Sequence, residues 1–125
     1  MIKNHFIIAI VDDDIRLLES MEDLLESAGY NVCCYHSAVS LLRKGMSDID
    51  LIITDISMPE MDGFELMKIV RRISPKTPVF LITGRHEIAD QRRAQEVSYL
   101  FRKPFDEKEL LTAIGKVLHE HLEED

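Results

Sequence analysis

Residues able to do chemistry stand where apolar runs end. Asp12-Asp13-Asp14 follows one run, Asp55 another, Thr83-Gly84 a third, and Lys103-Pro104 a fourth, shorter one. Carboxylates gathered at one place repel and cannot all stay ionised without compensation. Oxygen-rich acidic clusters suit a hard divalent cation, and Mg²⁺ (or Mn²⁺) takes a few carboxylates and keeps several waters. Asp12, Asp13 and Asp55 are therefore candidate metal residues. Thr83 offers a hydroxyl and Lys103 an ammonium, on a backbone that the following proline holds extended or turned. A carboxylate, a divalent metal, a fixed cation and a hydroxyl make a site for a phosphoryl group. Asp55 is its natural nucleophile, because carboxylates accept phosphoryl groups as acyl phosphates. Each piece also has a plain structural reading: one Asp starts a helix, a strand-end Thr bonds a backbone group, and Lys-Pro or Asp-Gly makes a turn. Their recurrence at successive strand ends, in this order, favours the chemical reading.

The elements needed to gather these residues can be read from hydrophobic patterning. Apolar runs at 5–11, 50–54 and 79–82 read as strands buried on both faces, with shorter strands at 31–35 and 98–102. Between them, apolar residues at helical spacing predict helices. The first carries Leu17, Leu18, Met21, Leu24, Leu25 and Ala28 and ends at Gly29; the second is capped by Ser37 and closed by Gly45. Asp62 caps the third, whose stripe is Phe64, Leu66, Met67, Ile69, Val70 and Ile73. A fourth, thinly apolar helix is expected within 86–96, and a last one is capped by Asp106 with Glu109 as its capping-box partner. Strands alternating with helices predict an α/β protein: a flavodoxin-like (βα)5 three-layer sandwich with a five-stranded parallel sheet of order 2-1-3-4-5. In that order the first and third strands are neighbours with crossovers on opposite faces. Asp12, Asp13 and Asp55 then meet at the switch point.

A chain of 125 residues is expected to form one domain over 1–125, with 118–125 a frayed tail or the start of a linker. Fifteen basic against twenty-three acidic residues, a net charge of −8, argue against direct nucleic acid binding, which needs a basic face. Adjacent Cys33 and Cys34 form no zinc or redox motif and read as buried thiols of a reducing compartment. No run approaches the roughly 20 apolar residues that span a bilayer, and the Met1 start lacks a signal-peptide core. A cytoplasmic location, with nothing sizeable before Met1, is the expectation.

With these residues in place, the sequence resembles the receiver domain of two-component response regulators over essentially its whole length. Val11-Asp12-Asp13, the run from Thr54-Asp55 to Met61-Asp62-Gly63 with its Met58-Pro59, Leu81-Ile82-Thr83-Gly84, and Lys103-Pro104-Phe105 carry the likeness. The resemblance implies that Asp55 takes a phosphoryl group from a sensor histidine kinase or a histidine phosphotransfer protein. It implies Mg²⁺ held directly by Asp13, Asp55 and the Ser57 backbone carbonyl, and by Asp12 through water. Lys103 would pair with the phosphoryl oxygens, Thr83 would move to bond one of them, and Lys103-Pro104 would be a cis peptide. Gly84 would leave the site open to an attacking group.

One feature departs from the pattern. Similar proteins place an aromatic switch residue three positions before the lysine; here that position is Leu100, between Tyr99 and Phe101, and Gln95-Glu96-Val97 replaces the usual small residues upstream. Either Leu100 occupies the switch position or a one-residue slip brings Tyr99 to it.

The function expected is a conformational switch, not an enzyme with turnover, controlling a downstream output domain or protein through the fourth helix, fifth strand and last helix. Homodimerisation on phosphorylation is left open, as is whether the chain stands alone or belongs to a longer one. A pseudo-receiver acting only as an interaction module is the alternative, although no acidic residue or lysine has been lost. A haloacid-dehalogenase-type phosphatase needs a second Asp where Ser57 stands. A flavin-binding flavodoxin needs a Ser/Thr/Gly-rich loop after the first strand, which is absent.

Overall fold

The computed structural model describes residues 5–84 and 99–123. Along the chain these residues form β1 (Ile7–Val11), α1 (Ile15–Ser27), β2 (Asn31–Tyr35), α2 (Ala38–Lys44) and β3 (Leu51–Asp55), followed by α3 (Gly63–Ile73), β4 (Val79–Thr83), β5 (Leu100–Arg102) and α4 (Glu107–Glu123). The strands make one parallel sheet in the order β2-β1-β3-β4-β5, as expected. The helix expected within 86–96 lies outside the described residues.

Alternation along the strands divides the core into two layers. Ile8 and Ile10 of β1, Leu51 and Ile53 of β3, and Phe80 and Ile82 of β4 face α1 and α4, meeting Leu18, Met21, Leu25, Leu110, Ile114 and Leu118. Ala9, Val11 and Ile52 face the other way and meet Leu41 of α2 with Leu66 and Val70 of α3. Each fully buried Leu or Ile contributes about 1.5–3 kcal/mol relative to an exposed one. These two layers are therefore what holds the strand ends in register. The helix α4 runs through 118 to Glu123. Leu118 is buried, and the His119 ring stands edge-on to Phe6 with centroids 5.2 Å apart.

Helix starts follow local chemistry. The Asp14 carboxylate accepts from Arg16 and Leu17 N–H at the start of α1, Ser37 accepts from Ser40 N–H at α2, and Asp62 with Glu65 completes a reciprocal capping box at α3. Asp106 accepts from Lys108 and Glu109 N–H at α4. Gly29 and Gly45 close α1 and α2 with φ of +97° and +95°, where a side chain would be strained.

Three expectations are corrected. Ile73 does not extend the α3 stripe: it is the helix's last residue, is 61% exposed, and has run past the sheet it would pack on. Ala28 is exposed as the C-cap of α1. The thiols are not both buried, because β2 is a sheet edge with only one strand neighbour: Cys33 is exposed and Cys34 half-buried, and both are free. The Cys34 thiol lies 3.9 Å from the Leu18 carbonyl and 3.8 Å from the Glu22 carboxylate. Burial and that carboxylate push it up to about 11, so it is held as an unreactive thiol.

The loop from β3 to α3 contains one strained residue. Glu60 has φ of +68°, and Met61 N–H reaches back to the Pro59 carbonyl at 2.8 Å. Relief of about 1–2 kcal/mol of left-handed strain, less about 0.4–1 kcal/mol of added unfolded-chain entropy, predicts that Glu60→Gly gains on the order of 0.5 kcal/mol. A urea midpoint that falls on this substitution would show that the Glu60 side chain, not its backbone, matters.

Candidate functional site

β3 is the central strand, buried along its whole length, and it delivers Asp55 at its carboxyl end with 7% exposure. On one side β1 ends at Val11, so the next residue, Asp12, reaches the same edge of the sheet. Asp12 is 2% exposed, and its backbone N–H bonds the Tyr35 carbonyl of β2. The acidic triplet thus divides its labour: Asp14 caps α1, Asp12 turns inward, and Asp13 stays exposed beside it. One carboxylate oxygen from each of Asp12, Asp13 and Asp55 lies within 4.8 Å of the other two. All donors are hard oxygens with two of the three residues buried, a donor set that fits a small divalent cation such as Mg²⁺.

On the other side β4 and β5 bring the cation. Lys103 N–H bonds the Thr83 carbonyl at 2.8 Å, fixing where the side chain leaves the backbone. Its ammonium then stands 3.4 Å from Asp12 Oδ2 and 3.6 Å from Asp55 Oδ1. The Lys103–Pro104 peptide is cis. Thr83, buried, ends β4 one residue beyond the Asp55–Ile82 pairing. Ser57 follows two residues after Asp55 in the loop and is half-buried.

The electrostatics follow from this crowding. Burial, then repulsion from Asp12, pushes the Asp55 carboxyl up to about 6, against the pull of Lys103. Asp12 is also raised, chiefly by burial, while the Asp14 N–H at 2.9 Å and Lys103 hold it down. Among the described residues the site is a cluster of carboxylates with the Lys103 ammonium as its counter-charge.

The parallel register decides the position that sequence left open. Leu100 pairs with Leu81, and Arg102 with Thr83, so Leu100 lies on the Thr83 face of the sheet. There it packs against Ile56, Phe64, Met67 and Leu81. Tyr99 lies on the opposite face, stacked on Phe80 with ring centroids 4.5 Å apart. There is no one-residue slip, and Tyr99 is not brought to Thr83.

Sequence reasoning placed Gly63 in the motif but gave it no role beyond a turn; its amide bonds the Ile56 carbonyl at 2.9 Å directly beside Asp55. The available signal was its place immediately after a capping Asp, where any good helix former could otherwise stand.

A family model described as the response regulator receiver domain matches residues 8–115. The chain belongs to this family. Among curated relatives, the transcriptional regulatory protein CpxR homolog of Haemophilus influenzae is 33% identical over 111 residues, covering 87% of this chain and 48% of the relative. The chain spans about half the length of most of the curated relatives it matches and about a quarter of one, the DNA-binding transcriptional regulator NtrC of Bradyrhizobium. Among solved structures, the signal receiver domain of an HD domain-containing protein from Pseudomonas fluorescens Pf-5 superposes with a TM-score of 0.88 at 27% identity, covering 99% of this chain and 95% of that one. A CheY-like receiver domain protein from Methanospirillum hungatei gives 0.86 at 28% identity, covering 96% and 98%. Among the described residues of this receiver domain, no helix is long and apolar enough to cross a membrane.

Proposed function

We propose that this receiver domain is a working phosphoacceptor, with Asp55 taking a phosphoryl group from a phosphohistidine on a sensor histidine kinase or histidine phosphotransfer protein. The observation that carries this reading is the Lys103 ammonium placed within 3.4–3.6 Å of Asp12 and Asp55. A site kept only for protein contact has no need of a buried carboxylate, a neighbouring acid and a counter-ion at that spacing.

In the transfer, an Asp55 carboxylate oxygen attacks phosphorus in line with the leaving group. The P–N bond breaks, its electron pair returns to the imidazole nitrogen, and an acyl phosphate forms. Asp55 must be ionised to attack, which its neighbours oppose when no cation is present. Asp13, Asp55 and the Ser57 carbonyl would hold Mg²⁺ directly, with Asp12 acting through water. The ion supplies charge neutralisation between the carboxylates and the phosphoryl oxygens. Lys103 then turns from the carboxylates to a phosphoryl oxygen, and the Thr83 hydroxyl donates to another. A Cβ built on Gly84 would stand 3.8 Å from Lys103 Cδ, so the absence of a side chain there leaves room beside the lysine for the water that later hydrolyses the acyl phosphate.

Phosphorylation adds charge at the end of β3, and the population shifts toward a state that an output domain or protein recognises. The curated relatives are named as transcriptional regulators and response regulators, and this chain covers 24–52% of the length of the first three. A cytoplasmic output of that kind, attached or separate, fits this domain. Because Leu100 and not an aromatic residue shares the Thr83 face, movement of Thr83 is read by the cluster of Ile56, Phe64, Met67 and Leu81.

The test is intact mass after incubation with Mg²⁺ and acetyl phosphate. Wild-type protein gains one phosphoryl group, Mg²⁺ chelation abolishes the gain, and Asp55→Asn shows none. No gain with acetyl phosphate or with a competent phosphohistidine protein would leave a receiver fold used only for binding.

A further inference from the structure

We propose that Gly63, the first residue of α3, is a positioning residue for Asp55. Its missing side chain lets α3 seat directly on the backbone of the phosphoacceptor, and so sets where the Asp55 carboxylate stands relative to Asp12, Asp13 and Lys103. This role rests on the reading of Asp55 as phosphoacceptor.

Glycine is not needed at 63 for its backbone freedom. Among the described residues the glycines with positive φ are Gly29 and Gly45, and Gly63 is not one of them. As a helix former it is inferior to alanine by about 1 kcal/mol. What the position requires is space. A Cβ built on Gly63 would lie 2.5 Å from the Asp55 carbonyl oxygen, 2.9 Å from Ile56 Cα and 3.1 Å from the Asp55 carbonyl carbon. All three are backbone atoms, so no side-chain end can swing away. In contrast, a Cβ on Gly115 in α4 would meet nothing nearer than the His119 ring at 4.0 Å.

The approach is held closed from both sides. Gly63 N–H donates to the Ile56 carbonyl at 2.9 Å, while Ile56 N–H donates to the Ile82 carbonyl of β4, also at 2.9 Å. The residue after the phosphoacceptor is thereby pinned to α3 through its carbonyl and to the sheet through its amide. The capping box fixes the first turn of α3, with Glu65 N–H 2.8 Å from Asp62 Oδ1 and Asp62 N–H 3.2 Å from Glu65 Oε1. Phe64 and Met67 then lock the helix against Ile56 and Leu81. Ordinary carbon contacts need about 3.5–4.0 Å, so a methyl group at 63 forces roughly 1 Å of movement between α3 and the end of β3. Displacement of that size at a reacting group costs up to about 100-fold in rate.

The experiment compares Gly63→Ala with Val70→Ala. Val70 is a fully buried residue of the same helix, in the cluster with Leu41 and Ile52, and its truncation loosens α3 without crowding Asp55. Urea unfolding ranks the stability of both variants. Labelling by acetyl phosphate gives the transfer rate at saturating Mg²⁺, and calorimetric titration gives Mg²⁺ affinity. Gly63→Ala is expected to lower the rate by about 10- to 100-fold and to weaken Mg²⁺ binding several-fold. Val70→Ala is expected to lose stability with both quantities unchanged. If Gly63→Ala populates the unfolded state, all proteins are measured in trimethylamine oxide, which favours the folded one. Wild-type rate and Mg²⁺ affinity in folded Gly63→Ala, or equal losses in Val70→Ala, would overturn the positioning role. If the wild type itself takes no label, the phosphoacceptor reading fails, and the Mg²⁺ titration still decides whether Gly63 places the carboxylate.

Discussion

Lys103→Ala is expected to slow phosphoryl transfer to Asp55 by about 100-fold while tightening Mg²⁺ binding. The opposite signs follow from one geometry. In the resting site the ammonium stands 3.4 Å from Asp12 and 3.6 Å from Asp55, so it competes with any incoming divalent cation for the same carboxylates. Removing it leaves Asp12 and Asp55 facing each other without their fixed counter-charge, and a metal ion gains what the lysine gave up. The transfer step loses, because charge building on the phosphoryl oxygens no longer meets a cation whose backbone is anchored by its bond to the Thr83 carbonyl. Lys103→Arg keeps the charge but not the compact point donor, and should fall between the two. Labelling time courses and Mg²⁺ titrations at one pH measure both effects. A transfer rate unchanged in Lys103→Ala, or Mg²⁺ binding that weakens, would mean that Lys103 only holds the β5–α4 loop in place.

What could be read from the sequence divides along a physical line. Patterns that a segment carries within itself were legible: the apolar run of β3 ending on Asp55, the Asp62 cap of α3, and the glycines closing α1 and α2. So was the parallel order, because alternating strands and helices leave few ways to arrange five strands. Properties that depend on what another segment does were not. Nothing local tells Asp12, Asp13 and Asp14 apart, and only the start of α1 makes Asp14 the cap and turns Asp12 inward. Leu100 and Tyr99 could not be ranked until pairing with Leu81 settled which face each occupies. Cys33 looked like a buried thiol because an edge strand has the same sequence grammar as a central one. Ile73 continued a helical period beyond the point where the sheet gives it anything to cover. Glu60 carries no composition signal for its positive φ, and the closeness of Gly63 to Asp55 exists only once α3 has docked.

The second large effect is on stability. Without divalent metal, Asp55→Asn should be more stable than the wild type at pH 7 and above, by about 2–3 kcal/mol, equivalent to a rise of roughly 5–10 °C in Tm. Asp55 is nearly inaccessible and faces Asp12 and Asp13, with Lys103 as the opposing charge, and its carboxyl is pushed from 3.8 to about 6. A raised carboxyl means that folding favours the protonated form. Its contribution is fully present below pH 4, where the unfolded chain is also protonated, and is lost as pH rises through 6 and the buried group must ionise. Asparagine keeps the shape and carries no charge, so the gap between the two proteins should be small near pH 4, open between pH 4 and 6, and stay level above. Mg²⁺ should narrow the gap at pH 7 by binding the folded wild type. Urea unfolding of both proteins across this range in a chelator reads the gap directly. A gap equally wide at pH 4 and pH 8 would mean that asparagine acts through packing, whereas no gap at pH 8 would mean that Lys103 already offsets the buried charge. The expected profile instead describes a domain that keeps a destabilised carboxylate at the end of its central strand, where burial and the neighbouring acids raise it.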